Sequence, residues 1–190
     1  MILGGGRRRV VSRLVIESGA RPGDRVLDVG CGTGSLTRSM AQAVAPTGIA
    51  VGVDPSTEAI AEARRLTALE NCTYSDGIAE RLDAPDDAYD VVVSSLMIHH
   101  LPGARRALAI QEMLRVVRPG GSVLVAEFRP PSSRVGKRLV RPFVSPAMAE
   151  NRVDLLEAMI RDAGAEQVRD GYVRPWTYYV RALKPAVLAT

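Results

Sequence analysis

Hydrophobic positions along the chain follow two alternating periods. Short apolar runs at Arg25–Val29, Ile49–Val53, Cys72–Ser75, Tyr89–Ser95 and Ser122–Phe128 read as strands. The continuous β-branched run Val91–Val93 suits a strand buried on both faces. Between these runs, residues 35–45, 56–69 and 104–117 carry apolar side chains at helical spacing, with Ser56 placed to cap the second of them and Glu58 in its first turn. An earlier helix, residues 7–19, lines up Val10, Val11, Leu14 and Val15 and stops at Gly19, and a later one, residues 153–163, stops at Gly164. Arg118-Pro119-Gly120-Gly121 reads as a structural turn closing the 104–117 helix. Residues 166–170 and 176–182 read as closing strands too close together for a helical crossover, so they run antiparallel. The alternation predicts an α/β fold. It is Rossmann-like and doubly wound, with a mostly parallel seven-stranded sheet, an antiparallel closing hairpin and helices on both faces. There is no repeat, low-complexity tract or linker, so residues 1–190 read as one domain, with 129–149 an insertion after the fifth strand.

Composition narrows the classes. The chain has 190 residues, 46% hydrophobic and 24% charged, which is ordinary for a globular domain. No apolar run nears the ~18 residues of a membrane span, and Met1–Arg9 lacks the apolar stretch of a secretory signal. A cytoplasmic location is therefore expected. Cys31 and Cys72 are too few for a disulfide framework and have no metal-ligand spacing, so no metal is expected. A net charge of +4 is too weak to imply a nucleic-acid partner.

The most informative stretch is Val26-Leu27-Asp28-Val29-Gly30-Cys31-Gly32-Thr33-Gly34, a strand running into a glycine turn that opens a helix. Its Gly-x-Gly-x-Gly spacing is not that of a dinucleotide fingerprint, and no Gly-Lys-Ser/Thr follows, which excludes a P-loop. Asp28 would repel a pyrophosphate, whereas a ligand carrying a sulfonium and an amine would be attracted. Asp54, in Val53-Asp54-Pro55-Ser56, ends the second strand about 20 residues on, where an acid accepts ribose hydroxyls.

With Ser75-Asp76-Gly77, the run Asp90–Leu101 and Arg118–Gly121, these segments resemble the class I S-adenosylmethionine (SAM)-dependent methyltransferase superfamily, in its small-molecule branch near the ubiquinone/menaquinone C-methyltransferases. The resemblance spans residues 24–128 and implies SAM as donor and S-adenosylhomocysteine as product. By position it implies that Asp28 and the backbone of Gly30, Cys31, Gly32, Thr33 and Gly34 hold the methionine end of the donor. Asp54, with Pro55 and Ser56, would serve the ribose, and Asp76, Gly77 and Ile78 the adenine. Ser95 and Leu96 would lie beneath the sulfonium. His99 and His100, the only histidines, follow the fourth strand on the substrate side and are the candidate catalytic residues, His99 ahead of His100.

Plainer readings stand beside these. Asp54 also suits the positive end of the following helix, Asp76 an Asx turn, Cys31 a small turn residue, and the histidine pair simple packing. The expected function is SAM-dependent methyl transfer to a small molecule by in-line displacement, with a SAM-binding protein without turnover as the alternative. A nucleic-acid acceptor is disfavoured, because Ser94-Ser95-Leu96-Met97 stands where amino-methylating enzymes of DNA and RNA carry an Asn/Asp-Pro-Pro-aromatic turn. Arg134, Lys137, Arg138 and Arg141, interleaved with Val135, Leu139, Val140 and Phe143, are compatible with a surface lid, an anionic substrate or peripheral membrane contact. Quinone-like, phenolic and lipid acceptors all fit. Only 24 residues precede the first strand, so the cleft is expected to be open and a homodimer could complete it. The aromatic residues Tyr172, Trp176, Tyr178 and Tyr179 read as core and edge packing.

Overall fold

The structure, a computed structural model, describes residues 4–129, 131 and 153–186. Helix α1 (Gly4–Ser18) leads into β1 (Arg25–Val29), α2 (Ser35–Val44), β2 (Ile49–Asp54), α3 (Thr57–Arg65) and β3 (Cys72–Asp76). After an irregular crossover come β4 (Tyr89–Ser95), a 3-10 turn (Ile98–His100), α4 (Gly103–Val116) and β5 (Val117–Phe128). A 3-10 turn (Val153–Leu155) and α5 (Leu156–Asp162) precede the hairpin of β6 (Glu166–Val173) and β7 (Thr177–Leu183). The seven strands form one sheet in the order β3-β2-β1-β4-β5-β7-β6, parallel throughout except for β7, which is antiparallel to both β5 and β6. This is the doubly wound sheet that the sequence predicts.

Strand alternation sorts the core into two layers. Val26, Val91, Val93, Leu124 and Ala126 face α1–α3, where Leu14, Leu36, Met40, Val44 and Ile60 meet them. Leu27, Val29, Val92, Val123 and Val125 face α4 and α5 and pack on Ile110, Met113, Leu156 and Ile160. Helix α1 is anchored at its far end, because the Ser18 carbonyl accepts from Ser122 Oγ at 2.7 Å and Arg181 Nε at 3.3 Å. Ser56 caps α3 by accepting from the Ala59 N–H at 3.1 Å, as its type and position imply.

One local expectation is corrected. Arg118–Gly121 is not a turn. α4 runs straight into β5, where Val117 pairs with Tyr89, and the register then slips before Ser122 pairs with Val91. Gly120, at φ 73°, and Gly121 exchange backbone hydrogen bonds with Lys184 just beyond β7, which ties this bulged stretch to the hairpin. The β3–β4 crossover has no helix. Residues 77–88 make only an isolated bridge between Ile78 and Arg81, so part of the α4/α5 face, near Leu27, Val51 and Val53, borders a groove rather than a helix. The basic segment at Arg134–Arg141, within the expected 129–149 insertion, lies outside the described residues. Among the described residues no helix is long and apolar enough to cross a membrane.

Leu124 is fully buried at the centre of the sheet. Leu124→Ala is expected to cost about 2–5 kcal/mol of stability, read as a lower urea midpoint at unchanged slope. A loss below ~1 kcal/mol would mean that this layer repacks freely.

Candidate functional site

In parallel sheets, ligands bind beyond the carboxyl ends of the strands, at the point where strand order reverses. Here that point lies between β1 and β4, and a cleft of about 630 Å³ opens there. Its lining follows the sheet sideways: Asp54 of β2, Asp28 of β1, Ser95 and Leu96 at the end of β4, Phe128 of β5 and Thr177 of β7. Four inter-strand steps of ~4.8 Å make this row roughly 19 Å long. α1 supplies a further wall through Gly6, Arg7, Val10 and Val11, so the short segment before β1 closes one side of a cleft that was expected to be open.

The β1–α2 turn forms the floor at one end. Gly30, Gly32 and Gly34 all have positive φ (74°, 52° and 74°), which residues with a Cβ rarely adopt. A Cβ on Gly30 would also overlap the Met97 side chain, whereas at Gly32 nothing lies within 4 Å and the backbone is bare. Backbone N–H groups of Gly30 and Cys31 both donate to the Val53 carbonyl, at 2.8 and 3.0 Å. The Asp54 carboxylate accepts from the Gly32 N–H at 2.8 Å and the Ser56 N–H at 3.0 Å. The following helix α2 starts on Gly34, which has no side chain with which to cap it.

Asp28 lies beneath this turn, 1% exposed, and accepts from Thr37 Oγ1 at 2.6 Å. Burial pushes its carboxyl up to about 7; the hydrogen bonds from Thr37 oppose the shift, and the Asp54 charge adds to it. Cys31 lines the cleft, but burial drives its thiol far above the usual range, which leaves it no nucleophilic role at neutral pH.

Beyond β4 the backbone turns sharply. Leu96 sits at φ 58°, an outlier for a bulky residue, and is held there by its N–H donating to the Ala126 carbonyl at 2.8 Å. The two histidines part company after it. His100 is exposed on the cleft wall. His99, ranked first from the sequence, does not line the cleft: its side chain is buried and its Nδ1 lies 2.7 Å from Glu127 Oε2. The two rings pack with centroids 4.0 Å apart. Partial burial holds His100 below the usual imidazole range; the His99 ring acts the same way and the Glu127 carboxylate opposes it.

Asp28, Gly30, Cys31, Gly32, Thr33, Asp54, Ser95, Leu96 and His100 thus share one cavity. Asp76, Gly77 and Ile78 line the adjoining groove with Val53, Leu82 and Tyr89; Asp76 is the cross-strand partner of Asp54, so the two cavities abut. Gly34, Pro55 and Ser56 line neither; Gly34 and Ser56 serve as helix starts. Sequence reasoning missed Arg7, Val10, Val11, Met97, Phe128 and Trp176. It had assigned Trp176 to core or edge packing, but the indole meets Phe128 edge-on, at 6.3 Å between centroids, on the cleft wall. The only available signal was its place at the start of β7, which is next to the end of β5 once the hairpin is known to run antiparallel.

Comparison with known proteins agrees with this geometry. Residues 26–121 match the family described as a methyltransferase domain. A ubiquinone/menaquinone biosynthesis C-methyltransferase of Ectopseudomonas mendocina is 39% identical over 137 residues, 70% of this chain and 53% of that protein. Its namesake in Pseudomonas aeruginosa is 37% identical over 139 residues, 70% of this chain and 54% of that one. The chain spans about half the length of the curated relatives it matches. A SAM-dependent methyltransferase from Aquifex aeolicus superposes with a TM-score of 0.78 at 20% identity, covering 92% of this chain and 89% of that one. The [4+2]-cyclase SpnF superposes at 0.76 and 20% identity, covering 94% and 81%. Likeness at this identity shows the fold alone, and SpnF illustrates that one fold hosts different chemistries. The chain belongs to the class I SAM-dependent methyltransferase family.

The Asp28 shift has a signed consequence. Its folded value, about 7, lies above the ordinary 3.8, so the stability it confers is present below pH ~4 and is lost as pH rises through 7. Asp28→Asn keeps an acceptor for Thr37 without the charge. Its advantage in melting temperature over the wild type should grow as pH rises from 4 to 7 and level off above that; parallel curves across that range would show that Asp28 ionises as an ordinary carboxyl.

Proposed function

We propose that this protein transfers the methyl group of SAM to a planar, largely apolar small molecule of quinol or phenol type. The observation that carries the reading is the single cleft, which has two carboxylates and a bare glycine turn at one end and apolar and aromatic side chains with His100 at the other.

The residues present fit the donor. Asp54 lies at the end where a sulfonium and an amine would sit, and a cation there would favour ionisation of Asp28. The missing Cβ at Gly32 allows close approach to the backbone. The uncapped amino end of α2 suits a carboxylate. Asp54 has further lone pairs for ribose hydroxyls beyond the two N–H groups it already accepts. Asp76 with Gly77 and Ile78, in the abutting groove, would take the adenine. When bound, SAM supplies an electrophilic methyl already activated by its sulfonium.

The chain's own part is to hold, orient and deprotonate. Val10, Val11, Met97, Phe128 and Trp176 shape an apolar wall that excludes water and takes a flat ring. Holding the two reactants in line does much of the work in such a displacement. His100, lowered by burial, is neutral at pH 7 and placed on the cleft wall to take the acceptor's proton. The names of the curated relatives, quinone-biosynthesis C-methyltransferases, support a ring carbon as the methylated atom.

Calorimetry tests the donor. SAM and S-adenosylhomocysteine are expected to bind and NAD not to. Asp54→Ala should weaken the SAM pair tenfold or more, because charge-assisted hydrogen bonds of ~1.5–3 kcal/mol each are lost. Preference for NAD, or unchanged affinity in that variant, would overturn the assignment. For the base, His100→Gln should lower kcat by ~100-fold or more while leaving SAM affinity within twofold. A variant with full kcat would remove His100 from the proton transfer.

A further inference from the structure

The buried pair behind His100 is not explained by donor binding. Glu127, on β5, is 2% exposed, and His99 is 3% exposed. His99 Nδ1 lies 2.7 Å from Glu127 Oε2, and the His99 backbone N–H also points to Glu127 Oε1 at 3.4 Å. On the other side of the ring, Nε2 is buried with no hydrogen-bond partner among the described residues. That asymmetry fixes the tautomer. A proton on Nε2 would leave a buried N–H with nothing to donate to, whereas a proton on Nδ1 is received by the carboxylate and leaves only a lone pair on Nε2. The turn that carries both histidines is clamped from α4 as well: Arg106 donates to the Leu101 carbonyl at 2.8 Å and to the His99 carbonyl at 3.2 Å. His99 thus presents a ring of fixed orientation to His100, with centroids 4.0 Å apart and the Glu127 carboxylate bonded at its Nδ1 edge.

We propose that Glu127 is a positioning residue of the methyl-transfer centre: through His99 it orients the His100 ring, and its buried carboxylate stabilises His100 in the protonated form. This rests on the reading of His100 as the base. In the step, the bond between methyl and donor sulfur would break with its electron pair going to sulfur as a ring carbon of the acceptor bonds to the methyl, and that carbon's C–H bond breaks with its electrons staying in the ring. The proton goes to a His100 ring nitrogen and then to solvent. Glu127 and His99 exchange no proton. The opposing pull of Glu127 on His100 agrees in sign, since the carboxylate favours the cation. The other ionisable groups lining the cleft are Arg7 of α1, Asp28 of β1, Cys31 of the β1–α2 turn and Asp54 of β2, none on the histidine turn.

The protein has two histidines, so imidazole NMR follows each without a turnover assay. Assignment uses His100→Gln. In wild type, ¹⁵N shifts should show His99 protonated on Nδ1 while His100 titrates. In Glu127→Gln the His100 midpoint should fall by at least half a pH unit, and Glu127→Asp should restore most of that fall. Once an acceptor is in hand, the acid limb of kcat should move the same way, with the KM for SAM within twofold. An unchanged His100 midpoint in folded Glu127→Gln, or His99 protonated on Nε2, overturns the proposal whether or not the protein proves to be a methyltransferase. If the NMR result holds but no acceptor is methylated, the failure lies with the functional reading and not with the pair.

Discussion

The β1–α2 turn is held by the neighbouring strand, and the rest of the site depends on that tie. Three left-handed glycines would not hold one shape alone. The Val53 carbonyl takes two of the turn's N–H groups and the Asp54 carboxylate a third. Those acceptors end β2, whose register against β1 is fixed by five parallel pairs. The turn is therefore as rigid as the sheet centre. It sets where α2 begins and how closely a ligand can approach the backbone. Asp54 joins the strand end, the turn and the start of α3: it accepts from the N–H of Ser56, the cap residue whose hydroxyl accepts from the Ala59 N–H.

Behind this frame the two carboxylates do different things. Asp54 is half-exposed and bonded to backbone. Asp28 is almost fully buried at the cleft floor beneath the turn and is bonded by Thr37. Holding a carboxyl in such a place opposes stability once it ionises, a cost that the fold carries at its own cleft. Leu96 is a similar case, a bulky side chain in a left-handed conformation imposed by one hydrogen bond from β4 to β5.

Much of this was legible beforehand. The period-2 and period-3.6 patterns gave every strand and the antiparallel hairpin, because both layers of the sheet are filled by plain alternation. The glycine turn and Asp54 were legible because their chemistry is local: turn, strand end and helix start are contiguous in sequence. What escaped depends on contacts between distant segments. Nothing in Trp176 or Phe128 says that β5 and β7 pair so as to bring them together. Two adjacent histidines look alike until Glu127, 28 residues on, is seen to bury one of them. The Arg118–Gly121 stretch reads as a turn from sequence because the hydrogen bonds that tie it to the sheet come from Lys184, 63 residues beyond Gly121.

The cleft also divides by sequence origin. Its donor end is built from residues 28–54, all inside the stretch 26–121 that matches the methyltransferase domain family. Much of its other wall comes from Gly6, Arg7, Val10 and Val11 on one flank and Phe128, Pro175, Trp176 and Thr177 on the other, all outside that stretch. These flanks can drift without disturbing the glycine turn. A match to residues 26–121 therefore says most about the glycine-turn end of the cleft and least about the wall that those flanks build.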